Sequence, residues 1–516
     1  MNSDPGARPR PEYDYVVAGG GTAGAVVAAR LSEDPDVSVG LLEWGPSDVG
    51  EPKALYVRRW AEMLEGEYDL DYRSIRQPRG NSHIRLARAR ILGGCSSHNT
   101  MIALKPPAAD FDDWAARGAR GWDAAAMDPY FERLAANIVP VAPGHRNAYL
   151  ADVIQAAATA LHIPVREDWN SRPYADGTGF VPIGYYPETG IRSSSSVAYL
   201  HPVLGRRHNL DLQPGHRVLR VNFDDSRRAT GVTAQRDDGS LAEVGARREV
   251  IACCGAIDTP RLLLLSGVGP AEQLQRLGIE VVANLPGVGA NLTDHTEGIV
   301  LWEATRELPP EGATDWDMTI MYRTDPASPL ADVLVHVPLM TFAVHPERLG
   351  YVTPAPSISM TPNVTRPRSR GSVSLASADP GDPPLIDYRH FTDADGYDEK
   401  TLVAGMRLAR RIAAKPPMSA WVAREVFPGP GVQDDAELSE LARATCHTVY
   451  HVSCTARMGA PGDPAAVLDS QLRVRGVGRL RVIDASAFPS LTSVNPMVAV
   501  LMLAERGAEL VRGGSL

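Results

Sequence analysis

The sequence predicts an α/β protein, a parallel sheet with packed helices into which a second domain is inserted. Three observations lead there: a strand, glycine turn, helix and strand at the start of the chain; further buried strands far downstream; and long Pro- and Gly-rich stretches between them. Order is expected from Tyr13. Tyr15-Val16-Val17-Ala18 reads as a short buried strand that runs into Gly19, Gly20 and Gly21. Residues 22–31 are rich in Ala and Val and read as a helix, and residues 37–43 as a second buried strand. Such a βαβ unit closes right-handed. Residues 249–254 and 480–483 look like additional buried strands, and residues 496–511 like a helix with one apolar face. Residues 140–180 and 308–366 read as irregular parts of the inserted domain.

The 516 residues are enough for two or three domains' worth of core. A content of 44% hydrophobic and 22% charged residues is ordinary for a globular protein and excludes disorder and fibrous repeats. The net charge of -10 offers no basic surface to nucleic acid. The five cysteines form no C-x-x-C pair, which points away from a zinc ribbon or a disulfide framework and toward a reducing compartment. Residues 1–11 are polar and Pro-rich, without the apolar core of a signal peptide. No uncharged run reaches the roughly 18 residues of a membrane span. The expectation is a cytoplasmic protein with a small-molecule partner, no nucleic acid, no membrane and no metal.

The first motif with a chemical meaning is G-x-G-x-x-G at Gly19, Gly21 and Gly24. The first glycine permits the turn, the second lets backbone approach a pyrophosphate, and the third lets helix and strand pack closely. An acidic residue is expected about 20 positions later to hold ribose hydroxyls. Glu43 stands at the end of the second predicted strand, where that role requires it. This pattern is Rossmann-like and does not by itself separate FAD from NAD.

Four further motifs carry a resemblance. Leu92-Gly93-Gly94-Cys95-Ser96-Ser97-His98-Asn99 follows a basic stretch at residues 85–90. Gly255-Ala256-Ile257-Asp258-Thr259-Pro260 and Ser266-Gly267-Val268-Gly269-Pro270 come next, and Val482-Ile483-Asp484-Ala485-Ser486 with Asn495-Pro496 closes the chain. In this order they resemble the signatures of the glucose-methanol-choline (GMC) oxidoreductases, from near residue 13 to near residue 510. Residues 28–35, 94–99, 192–196 and 448–451 look most like the choline-oxidising branch.

The resemblance implies an FAD-binding domain at residues 1–145, 187–305 and 450–516. It also implies an α+β substrate domain with an antiparallel sheet at 146–186 and 306–449. It implies a homodimer that uses molecular oxygen to oxidise choline in two steps to glycine betaine. The FAD contacts would be Gly19, Gly21, Gly24, Glu43, Gly94, His98, Asn99, Asp484, Asn495 and Pro496, with the flavin bonded covalently to His98. Left open are a choline dehydrogenase passing electrons to another acceptor, an oxidase of another primary or amino alcohol, and an FAD-containing lyase.

Alcohol oxidation needs the hydroxyl proton removed and the alkoxide held while hydride leaves carbon. By similarity, His451 and Asn495 are the catalytic pair. A histidine suits proton transfer, and an amide hydrogen-bonds the oxygen without titrating. Asn495 also stands where a helix N-cap would precede a proline. His336, in the strand-like run 333–337, would face the pocket and bind the alcohol oxygen. A quaternary ammonium has no hydrogen to donate, so its site needs aromatic faces and a negative charge. The resemblance supplies Trp60, Trp316 and Tyr450 as the faces and Glu311 as the anion. Two departures bear on substrate fit and electron acceptor: Cys454-Thr455 resembles the dehydrogenase branch, and Thr100 replaces a serine.

Overall fold

The computed structural model describes residues 12–137, 141–143, 147–171 and 175–513. The polar stretch at residues 1–11 lies outside them. The βαβ start forms as expected, with strand Glu12–Ala18, helix Thr22–Leu31 and strand Val39–Leu42. Both strands are buried, from Tyr13 to Ala18 and from Val39 to Leu42, as in the middle of a sheet covered on both faces.

Strand Glu12–Ala18 pairs in parallel with Val39–Leu42 on one side and with the long strand Leu241–Ala252 on the other. Leu210–Gln213 extends the sheet beyond Val39–Leu42, and Leu480–Val482 pairs in parallel with Leu241–Ala252. His216–Phe223 and Ala229–Arg236 complete seven strands through antiparallel pairing. The C-terminal helix Met497–Val511 packs on helix Thr22–Leu31. That contact holds a buried charge, Glu505, which accepts from Arg30 at 2.8 Å and from the Tyr199 hydroxyl at 2.7 Å. Removing one partner of such a pair costs about 3–5 kcal/mol.

An eight-stranded antiparallel sheet forms the second layer. Its path runs through Val422–Phe427, Val300–Ala304, Ser357–Val364, Val333–His336, Met318–Tyr322 and Gly177–Phe180. The two-residue strand Thr296–Glu297 pairs with Ser357–Val364 on one side and with His447–Thr448 on the other. Helices Tyr397–Ala413 and Ala148–Leu161 pack together over its back.

Three sequence expectations need correction. Residues 140–180 are not irregular throughout: Ala148–Leu161 is a helix of 14 residues, capped by the Asn147 side chain. Its Ala-rich face was hidden by Pro and Gly on both flanks. Within residues 308–366, three strands form. Strand Val300–Ala304, assigned to the nucleotide-binding portion, pairs in the second sheet.

Candidate active site

One continuous cavity runs from the glycine turn to the second sheet. At the first end, Gly19 has φ +97° and Gly94 φ +53°, both in the left-handed region that favours glycine. A Cβ on Gly94 would stand 2.7 Å from Gly21 Cα, and one on Gly24 would stand 1.9 Å from the Gly19 carbonyl oxygen. Gly24 therefore serves close helix–strand packing and does not line the cavity, whereas Gly19, Gly21 and Gly94 do. Glu43 lines it as well. Its carboxylate accepts from Gly20 N at 2.8 Å and Gly45 N at 2.6 Å, and burial pushes its pKa up to about 7. Asp484 accepts from Gly255 N and the Thr259 hydroxyl, which ties the end of the last sheet strand to the start of helix Gly255–Leu265.

His98 follows the short turn Gly94–Ser97 and is buried in the cavity wall. Burial, helped by the charges of Arg88 and Arg192, lowers its pKa to about 3, so the imidazole is neutral. Its Nδ1 has no hydrogen-bond partner among the described residues. Asn99 and Pro496 also line the cavity.

At the centre lie His451 and Asn495. His451 Nε2 is 3.3 Å from Asn495 Nδ2, and His451 Nδ1 is 2.8 Å from His295 Nδ1. His295 Nε2 is 2.9 Å from the Thr492 carbonyl oxygen, which only accepts. These distances assign the protons. His295 donates from Nε2, so its Nδ1 carries a lone pair and takes the Nδ1–H of His451. His451 Nε2 is then the free base, and the Asn495 amide donates toward it. Burial, helped by the charge of Arg88, holds His451 neutral, well below the usual histidine range. Asp294 fixes the same segment by accepting from His451 N at 2.9 Å and from the Thr448 hydroxyl. The capping role read for Asn495 is overturned: Pro496 occupies the N-cap, and the Asn495 side chain turns to His451.

At the far end, Trp60, Trp316 and Tyr450 line one space together with His336 and Phe342. Trp60 and Trp316 meet edge-on at 6.3 Å, and Trp316 meets His336 at 5.7 Å. All three aromatic residues named from the resemblance line this cavity, and Glu311 does not. It is exposed and off the cavity, in a loop whose carbonyls accept from Asn147 and Arg58. A buried carboxylate that does line the cavity is Glu297, 5% exposed, with Oε2 3.9 Å from Nδ1 of His336, the ring that meets Trp316. Burial raises its pKa against the opposing pull of His336.

Sequence reasoning missed His295 and Glu297. The available signal was Asp294-His295-Thr296-Glu297, a cluster of titratable residues inside an apolar stretch. Glu297 Oε2, His336 Nε2, Trp316 Nε1, Asn495 Oδ1 and His98 Nδ1 are buried without partners among the described residues. Unsatisfied polar atoms converging on one space are the mark of a ligand site. Cys454 and Thr455 are buried off the cavity, whereas Thr100 lines it. Glu311→Gln is expected to leave KM and turnover within about twofold of wild type in steady-state oxygen uptake, as for a surface change.

Comparison with known proteins places this geometry. The family model described as GMC oxidoreductase matches residues 13–297 with its N-terminal part and residues 367–504 with its C-terminal part. The chain belongs to the GMC oxidoreductase family. Choline oxidase of Arthrobacter globiformis is 44% identical over 97% of this chain and 94% of its own length. The mitochondrial choline dehydrogenase of Homo sapiens is 35% identical over 98% of this chain and 91% of its own. Among solved structures, pyridoxine 4-oxidase from Mesorbium loti superposes with a TM-score of 0.90 at 28% identity, covering 98% of this chain and 100% of that one. The chain is an FAD-dependent GMC oxidoreductase, and the cavity fits its cofactor: a glycine turn at a helix N-terminus, an acid at the end of the second strand, and unsatisfied polar atoms along the wall. Among the described residues no helix is long and apolar enough to cross a membrane.

Proposed function

We propose that this protein is a choline oxidase, converting choline to betaine aldehyde and then to glycine betaine while reducing O2 to H2O2. The observation that carries the reading is the far end of the cavity. Three aromatic residues and a buried carboxylate, Glu297, line the same cavity as the His451 base. A neutral alcohol has no use for a buried carboxylate, whereas a quaternary ammonium offsets its desolvation. The similarity to choline oxidase and choline dehydrogenases supports the same substrate.

In this reading Glu297, Trp60, Trp316 and Tyr450 hold the ammonium group and aim the hydroxyl at His451. His451 Nε2 takes the hydroxyl proton. The Asn495 amide and His336 hold the alkoxide oxygen as hydride departs from the adjacent carbon. His295 keeps His451 in the tautomer whose Nε2 is free. FAD, held along Gly19, Gly21, Glu43, Gly94, Asn99, Asp484 and Pro496, supplies the hydride acceptor and the route of electrons to oxygen. His98, neutral and unpartnered at Nδ1, suits a covalent bond to the flavin. The departures at Cys454 and Thr455 lie off the cavity, so they give the dehydrogenase reading no contact with substrate.

The test is twofold. Anaerobic choline should bleach the oxidised flavin, which a lyase would not do, and with air it should drive stoichiometric O2 uptake and peroxide formation. Bleaching without oxygen uptake would leave a dehydrogenase. His98→Asn should release the flavin on acid precipitation, whereas wild-type flavin should stay with the pellet; flavin released from both would remove the covalent link. The resemblance further carries a cytoplasmic homodimer, which a mass measurement in solution checks for its subunit number.

A further inference from the structure

Behind the Tyr450 wall stands a chain of two histidines that the reaction itself does not use. The Tyr450 hydroxyl is 3.1 Å from His447 Nε2, and His447 Nδ1 is 3.1 Å from His345 Nε2. Both histidines are buried, each 6% exposed, and neither lines the cavity. The His447 ring meets Tyr450 edge-on at 5.5 Å and His345 at 4.9 Å, and Phe342 packs against it at 5.3 Å. Burial lowers the pKa of His345 to about 4 and that of His447 well below the ordinary histidine value, so both rings are neutral. A neutral imidazole has one donor and one acceptor. The chain therefore runs with one polarity from the phenol to His345, or the reverse, and no member is left unmatched.

The other end of Tyr450 is fixed as well. Its backbone sits in the left-handed region at φ +64°, its N–H donates to the Thr448 hydroxyl at 2.7 Å, and its carbonyl accepts from Arg88 at 2.6 Å. His447 lies directly across from Glu297 in the antiparallel strand pair. One strand pair thus carries both the carboxylate of the cation pocket and the imidazole that grips its aromatic wall.

We propose that His447, backed by His345, is a positioning residue that sets the Tyr450 ring for a quaternary ammonium and so fixes the preference for a cationic over a neutral alcohol. The proposal rests on the choline reading above. Cation–π attraction requires the cation over the ring face within about 6 Å of its centre. A ring held only through its own Cα–Cβ bonds must be ordered by each substrate molecule, and that cost appears as weaker binding.

The experiment measures KM for choline and for its neutral isostere 3,3-dimethylbutan-1-ol in the holoenzyme and its variants. His447→Ala should raise the choline KM roughly tenfold and leave that of the isostere within about twofold, the size of one lost cation–π contact. His447→Gln, whose amide can reach the phenol, should restore most of the loss. Tyr450→Phe severs the same bond with His447 in place, and stands in if the alanine variant does not fold. The double variant should be no worse than either single one, because the two act through one interaction. Equal losses on both alcohols, or additive losses in the double variant, would overturn the proposal. Tyr450→Leu separates the levels. If it leaves the choline KM unchanged, the cation pocket itself is wrong. If it raises the choline KM while His447→Ala does not, only the positioning role falls.

Discussion

His451→Ala is expected to lower kcat by roughly a hundred- to ten-thousandfold, about 2.7–5.5 kcal/mol of transition-state stabilisation, while FAD stays bound. The size follows from the geometry. His451 Nε2 is the free base beside Asn495, with its tautomer set by the His295–Thr492 chain. Asn495 does not titrate, and His295, whose Nδ1 loses its partner in this variant, does not line the cavity. The residues proposed to hold FAD at Gly19, Gly21 and Glu43 line the glycine-turn end of the cavity, so flavin content measured by absorbance should be unchanged. A variant that keeps more than about a tenth of wild-type kcat would remove the assigned role, being outside the range for a lost general base.

Glu297→Gln should act on binding. Removing one partner of a desolvated charge pair costs about 2–5 kcal/mol, which raises the choline KM by roughly thirtyfold or more. The neutral isostere loses nothing, since it never met the charge. The same carboxylate predicts a pH dependence. Burial raises the Glu297 pKa, and the anion is the form that holds the cation. As pH falls through that raised value the carboxylate takes up a proton, and the choline KM climbs while the isostere's stays flat. In Glu297→Gln the acidic limb should vanish. Parallel limbs for both alcohols, or a limb that survives the substitution, would exclude Glu297 as its source.

The N-terminal half of the site was legible because it is local. A strand, three glycines, a helix and an acid some 20 residues on are contiguous, and each has a backbone reason to be there. The C-terminal helix was legible for the same reason. The second sheet was not, since its strands are drawn from segments as distant as residues 177–180 and 422–427. Its pairing is a matter of tertiary contact, and the Pro- and Gly-rich connections mask the strands between them.

Within the site, the histidines and aromatics named from the resemblance line the cavity, whereas Glu311, named as the anion, does not. A two-residue strand carries no alternation from which to read a facing direction, so the titratable cluster at residues 294–297 was the one local sign of Glu297. Glu311 follows two prolines in a loop, and the structure turns that loop to solvent. His295 was invisible for a different reason. It acts through His451, 156 residues away in sequence, and only the fold brings the two Nδ1 atoms to 2.8 Å.

The central claim is that this cavity oxidises an alcohol that carries a quaternary ammonium. The most direct measurement is oxygen uptake by the purified holoenzyme with choline and with 3,3-dimethylbutan-1-ol under the same conditions. The kcat/KM for choline should stand at least roughly thirtyfold above that for the isostere, as one desolvated charge pair would give, with one H2O2 formed per O2 consumed. Equal rates on the two alcohols, or no uptake with choline, would contradict it.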